Sequence, residues 1–196
     1  MKEMAEITRR IAFQVATVAV LAMFLMLLPL ESQAQETGKI YGKAAVIMKS
    51  GDVKPVAKGD FVVLPFSLHD LEVKARKEAE EQLGPPPPIR RGSTNELMES
   101  FRKQDEYRPK VAKYASKIIR EELDKAQEQG KYIRFRTEFD GSYEVVVPPG
   151  DWYICNEFVF ISVGNARIDW SVPITVKAGQ HLKLDLENSN ASKIFD

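Results

Sequence analysis

Two histidines and one cysteine are the scarcest reactive side chains in this 196-residue chain, and the neighbours of each limit the chemistry it could do. His69 stands beside Asp70 at the start of a helical pattern, where a ligand or a base is conceivable in principle; a first-turn histidine of this kind reads as a solvated residue. His181 and Asp185 lie four apart in a strand pattern. They share a face but stand about 13 Å apart at about 3.3 Å per residue, too far to hold one metal ion. Cys155 sits in an apolar strand between Ile154 and Asn156 with no basic neighbour to lower its pKa, so it reads as a buried structural thiol. Asp140 beside Gly141 supplies one carboxylate, far short of the six or more oxygens that calcium takes. The chain has no G-x-S-x-G turn, no H-E-x-x-H and no glycine-rich phosphate loop. No catalytic, cofactor-binding or metal-ligating residue is assigned, and the expectation is a protein that is not an enzyme and takes no cofactor.

The bulk properties narrow the class further. A formal net charge of zero with 29% charged residues lacks the one-signed field that nucleic-acid binding needs. A single cysteine excludes an internal disulfide. At the N-terminus, Lys2, Arg9 and Arg10 precede an apolar run from Ile11 to Leu30, and Ser32-Gln33-Ala34 comes next. That order predicts an export signal over residues 1–34 cleaved after Ala34. Because roughly 20 apolar residues also span a bilayer, the alternative is an uncleaved N-terminal hydrophobic helix that tethers the protein through residues 11–30. Either outcome places the chain beyond Gln35 outside the cytoplasm, periplasmic or secreted.

The elements that must position these residues are mostly strands. Asp140-Gly141 marks a tight turn, Tyr143, Val145 and Val147 alternate, and Pro148-Pro149-Gly150 turns the chain again before Trp152-Tyr153-Ile154. Upstream, Gly38 to Ile47 and Phe61 to Leu64 read as strands around a turn-rich connection; downstream, 131–139, 142–147, 152–163, 167–176 and 180–187 complete a count of seven. The hairpin T-x-x-D-G-x-Y-x-x-x-x-P-P-G-x-W at Thr137 to Trp152, together with the closing V-P-I-T-V at Val172 to Val176 and L-K-L-D-L at Leu182 to Leu186, resembles the carboxypeptidase regulatory-like domains. The resemblance implies a mainly β fold, a transthyretin-like (prealbumin-like) β-sandwich formed by 38–66 and 131–187. It implies a scaffold and no particular activity. The tail 188–196, polar apart from Ile194 and Phe195, reads as loose.

Residues 67–130 interrupt that scaffold with helical, charged sequence. Ser67 with Asp70 and Ser93 with Glu96 are capping signals. Leu68, Leu71, Ala75, Ala79 and Leu83 form one stripe; Leu97, Phe101, Val111, Tyr114 and Ile118 form another. Pro85 to Pro88 predicts a stiff elbow between two antiparallel arms, and Pro109 either opens a further helix or kinks the second. The second stripe exceeds what the small Ala75 and Ala79 can cover. It predicts contacts of this insertion with a protein partner or a second copy, making the chain a non-catalytic binding or assembly module of the cell envelope. The alternative is a carbohydrate-binding module that uses aromatics among Trp152, Tyr153, Phe158, Phe160 and Trp170; an unrecognised enzyme is the third reading.

Overall fold

The computed structural model describes residues 36–158 and 160–195, so the expected export segment lies outside the described residues. Among them are twelve short strands: β1 (Gly38–Lys43), β2 (Ala45–Ile47), β3 (Val53–Pro55), β4 (Asp60–Leu64), β5 (Ile133–Arg136), β6 (Ser142–Val147), β7 (Gly150–Asn156), β8 (Ile161–Val163), β9 (Ala166–Asp169), β10 (Ser171–Val176), β11 (His181–Lys183) and β12 (Lys193–Phe195). Helices α1 (Leu68–Leu83) and α2 (Thr94–Glu128) stand between β4 and β5. Strand order is β11-β1-β6 in one sheet and β10-β7-β4-β5 in a second; β12-β9-β8 and β2-β3 form two smaller sheets.

The two larger sheets bury their inner faces in one core. Gly38 pairs with Val147 and Ile40 with Val145 in the antiparallel β1–β6 register, and alternation then turns Tyr143, Val145 and Val147 inward while Glu144 and Val146 face out. From the other sheet come Phe61, Val63, Trp152, Ile154, Val172 and Ile174. Phe135 stacks on Phe61 at 5.3 Å and meets Tyr143 of the facing sheet at 5.0 Å, so aromatic contacts tie the sheets together. The uninterrupted run Phe61-Val62-Val63-Leu64 has a separate cause: β4 is buried on both faces. Its outer residues Val62 and Leu64 join Cys155, Leu68 and Ala126, with Leu71, Ile119 and Leu123 packed on them. The helices therefore form a third layer on the four-stranded sheet.

The strands are shorter and more numerous than the seven expected, because three long ones change sheets. The expected strand 152–163 ends at Asn156, whose side chain donates to the Ile168 carbonyl at 2.9 Å and accepts from the Trp170 amide at 3.2 Å. The expected strand 167–176 breaks at the same place, since Trp170 turns fully inward and donates from its indole to the Glu187 carbonyl. The first strand breaks at Ala44, whose carbonyl accepts from Val56. The tail differs from its expected looseness. Asn188 exchanges two hydrogen bonds of 2.8 Å with the Ile47 backbone, and β12 pairs with β9.

Both helix starts follow their capping residues. Ser67 Oγ accepts from the Asp70 amide, and Ser93 with Glu96 forms a reciprocal box. Pro109 neither starts nor divides a helix. α2 runs through it for 35 residues, held on the C-terminal side where Val111 and Ala115 pack on Ala75 and Ala79.

Candidate functional site: the helical arm and its base

The base of the arm is a polar seam. Ser171 Oγ donates to Ser67 Oγ at 2.9 Å, and the Cys155 thiol lies 3.4 Å from Ser171 Oγ. Burial pushes that thiol above its ordinary pKa, with the Ser171 contact a smaller opposing effect. A covered, protonated thiol matches the structural reading of Cys155. Beside it, His69 Nδ1 meets Asp169 Oδ2 at 3.1 Å, not its sequence neighbour Asp70. The Asp169 side chain is only 13% exposed; burial raises its pKa, partly offset by the His69 hydrogen bond. One turn further on, Glu72 is raised by burial and then by the Asp169 charge. The partners are 100 residues apart, which is why spacing along the chain did not expose the pairing. Among the described residues no group of three such side chains is placed to hold a metal ion.

The prolines form a strap, not a free elbow. Tyr107 donates to the Gly84 carbonyl at 2.6 Å, Gln104 donates to the Pro87 carbonyl, and Ser100 accepts from the Arg90 amide at 3.2 Å. Residues 84, 87 and 90 recur every three, the period of a polyproline helix, while 107, 104 and 100 recur on one face of α2. The strap thus runs back along α2 with its main chain read by one row of side chains. Three hydrogen bonds therefore brace the far end of α2. At 1.5 Å per residue α2 is about 52 Å long against about 24 Å for α1, and the strap alone accompanies the part that overshoots.

The expected apolar stripe on α2 divides in two. Val111 is buried and Ile118 half-buried in the seam with α1. Leu97 is half-buried, while Phe101 and Tyr114 remain exposed. Ile89 on the strap and Met98 were missed by reasoning from stripes; they stand 51% and 65% exposed, and Phe101 45%. Along one side of the arm, Glu72, Arg76 and Glu80 of α1 face Arg108 and Ser116 of α2 across a groove of about 680 Å³.

The sandwich carries the remaining candidates. His181 is exposed at the edge strand β11, and Asp185 instead accepts from the Lys43 amide at 2.9 Å, which holds its carboxyl below the usual range. Asp140 accepts from the Ser142 hydroxyl and amide and meets Lys43 at 3.1 Å, so its carboxyl is held well below the usual range. Those contacts complete a turn. Trp152 and Trp170 are buried and Tyr153 is half-buried on the helix side. Phe158 is exposed, and Phe160 lies under the Arg167 guanidinium at 5.0 Å. A different aromatic, Tyr41, lines an open cleft of about 790 Å³ with Lys43, Glu144, Lys183 and Asp185.

Among the described residues no helix is long and apolar enough to cross a membrane. No protein-family model matches the chain, and no curated protein matches it. Among solved structures it is similar to a Pseudomonas aeruginosa protein provisionally assigned as carbohydrate-binding, with 15% identity and a TM-score of 0.38 over 81% of this chain and 92% of that one. It is also similar to the pilus backbone protein RrgB of Streptococcus pneumoniae, with 9% identity and a TM-score of 0.29 over 76% of this chain and 41% of that one. Overlays this loose carry no argument about activity. The β-sandwich rests on its own register and core, and the carboxypeptidase regulatory-like likeness stays a resemblance.

Proposed function

We propose that the chain is an exported, non-catalytic binding or assembly module that engages a protein partner through the far end of its helical arm. One observation carries the reading: Ile89, Met98 and Phe101 expose apolar side chains at an end that the strap braces with hydrogen bonds. Apolar side chains left exposed at the end of a braced helix are suited to meeting a partner surface. From Ile119, where α2 lies on the sheet, back to Thr94 the helix rises about 38 Å. Gly38 lies against Val176, at one end of β10, whereas the arm is fastened to Ser171 at the other, about 17 Å away along the strand. The chain thus enters the sandwich at one end and roots the arm at the other. The buried Cys155 thiol and the turn-bound Asp140 favour the non-catalytic reading.

The test compares the exported protein with Met98→Glu/Phe101→Glu, both at exposed sites. Envelope extract passed over each should yield a partner, or a second copy, with the first and not with the second, at unchanged melting temperature. Equal capture by both proteins would remove the tip from the account, and N-terminal sequencing that finds the intact protein in the cytosol would remove export.

The Tyr41 cleft favours a second reading, a carbohydrate-binding module. An exposed ring among carboxylates and ammonium groups is suited to a sugar face and its hydroxyls. A Tyr41→Ala substitution that abolishes retention on a polysaccharide column while the tip variant is retained would move the function there.

A further inference from the structure

Four pairs of opposite charge spaced one turn apart on the arm close at 3.8 or 3.9 Å: Lys74–Glu78, Lys77–Glu81, Arg102–Glu106 and Lys117–Glu121. Glu72, Arg76 and Glu80 have the same spacing and alternate in sign, and they stay open. Neither they nor Arg108 opposite has an ion pair or hydrogen bond among the described residues; Arg76 acts on Glu72 only at longer range. All four line the groove between α1 and α2. On the α2 side it is lined by the small Ala112, Ala115 and Ser116 together with Tyr107, Val111 and Ile119, and Pro86 with Gln104 also borders it. A row of alternating charges that make no ion pair with one another, set along a groove, is an arrangement that can receive a charged ligand.

We propose that this groove binds an extended peptide segment whose alternate side chains run basic, acidic, basic, opposite Glu72, Arg76 and Glu80. The spacings agree. Four helical residues rise about 6.0 Å, and two residues of an extended chain rise about 6.6 Å, so three consecutive pairs drift by only about 1.2 Å. Long side chains absorb that. The central acidic side chain meets the Arg76 guanidinium, and the intervening residues lie over the small side chains of α2. The same helix already holds an extended chain, since α2 reads the main chain of the strap at Gly84, Pro87 and Arg90. The groove residues are separate from Ile89, Met98 and Phe101, so this site stands or falls independently of the tip.

The test uses the full chain and two fluorescein-labelled heptapeptides, acetyl-Ala-Lys-Ala-Glu-Ala-Lys-Ala-amide and its all-lysine counterpart with Lys at the centre. Fluorescence anisotropy should show the first binding roughly tenfold tighter, with a preference that fades as salt is raised. Arg76→Glu, at an exposed site, should reverse the order, so that the all-lysine peptide binds more tightly. The tip variant Met98→Glu/Phe101→Glu should bind both peptides as the unaltered protein does. Failure of the unaltered protein to bind either peptide, or the same order in the unaltered and Arg76→Glu proteins at equal melting temperature, overturns the proposal. Should Arg76→Glu fold poorly, Glu80→Lys gives the same decision: it should cost the Lys-Glu-Lys peptide its advantage over one ending in Glu, and an unchanged order again overturns the site.

Discussion

Gly51 and Gly141 have nearly the same backbone conformation, φ +87° and +80°, and opposite surroundings. That contrast turns one substitution into a measurement of how tightly the sandwich closes. Adding a Cβ at positive φ costs roughly 1–2 kcal/mol whatever the space. At Gly51 the new atom meets nothing within 4 Å. At Gly141 it falls well inside 3.0 Å of the Ala44 carbonyl oxygen and reaches Pro55 Cβ at 3.2 Å. The Ala44 carbonyl cannot retreat freely, because it accepts from Val56. Overpacking of this kind adds about 1–3 kcal/mol. Gly141→Ala should therefore destabilise by about 3 kcal/mol and Gly51→Ala by about 1 kcal/mol. For a domain of this size the difference of about 2 kcal/mol corresponds to roughly 4–8 °C in Tm. Urea unfolding followed by tryptophan fluorescence reports it, provided the slope m is unchanged, since Trp152 and Trp170 both sit in the core. Equal losses at the two glycines would refute the close approach of the β5–β6 turn to Ala44.

The carboxyls at the arm's base have a definite pH sign. Burial and the Asp169 charge raise the Glu72 pKa in the folded state, so its ionisation disfavours folding; stability is fullest below the ordinary carboxylate range and is lost as pH rises through the raised value. Glu72→Gln should accordingly raise Tm at pH 7 and lose that advantage near pH 4, a fraction of a kcal/mol after solvent screening; an advantage that grows on acidification contradicts the assignment. The strap predicts local dynamics: Tyr107→Phe with Gln104→Ala should speed amide exchange at Arg90 by hydrogen–deuterium mass spectrometry without moving the global transition, and unchanged exchange would show the strap held by other means. Replacing Leu68 to Gly130 by a short Gly/Ser linker should leave a β-domain that binds a hydrophobic dye and self-associates, because Val62, Leu64 and Cys155 lose their cover. A clean, stable monomer would instead mean that the helices add nothing to the core.

Local signals in the chain translated well into structure. The Asp140-Gly141 turn, the alternation of β6 and the caps at Ser67 and Ser93 each depend on neighbours a few residues away. What was illegible depends on distant partners. Nothing near Asn156 reveals that its amide will capture the Trp170 amide and the Ile168 carbonyl, and that capture is what breaks two long strands. The polyproline run announces stiffness, but its direction is set by Ser100, Gln104 and Tyr107 on the following helix. The stripe on α2 looked continuous because periodicity records a face and not its cover. Val111 found Ala75 and Ala79, whereas Phe101 lies beyond the end of the shorter helix.

The central claim is that the tip of the arm touches a protein partner, and site-specific photo-crosslinking in the producing cell tests it most directly. A benzophenone side chain placed at Met98 should give a defined higher-mass adduct, while the same group at Lys77, on the exposed outer face of α1, should give none. Adducts from Lys77 as readily as from Met98, or from Tyr41 alone, would contradict the account.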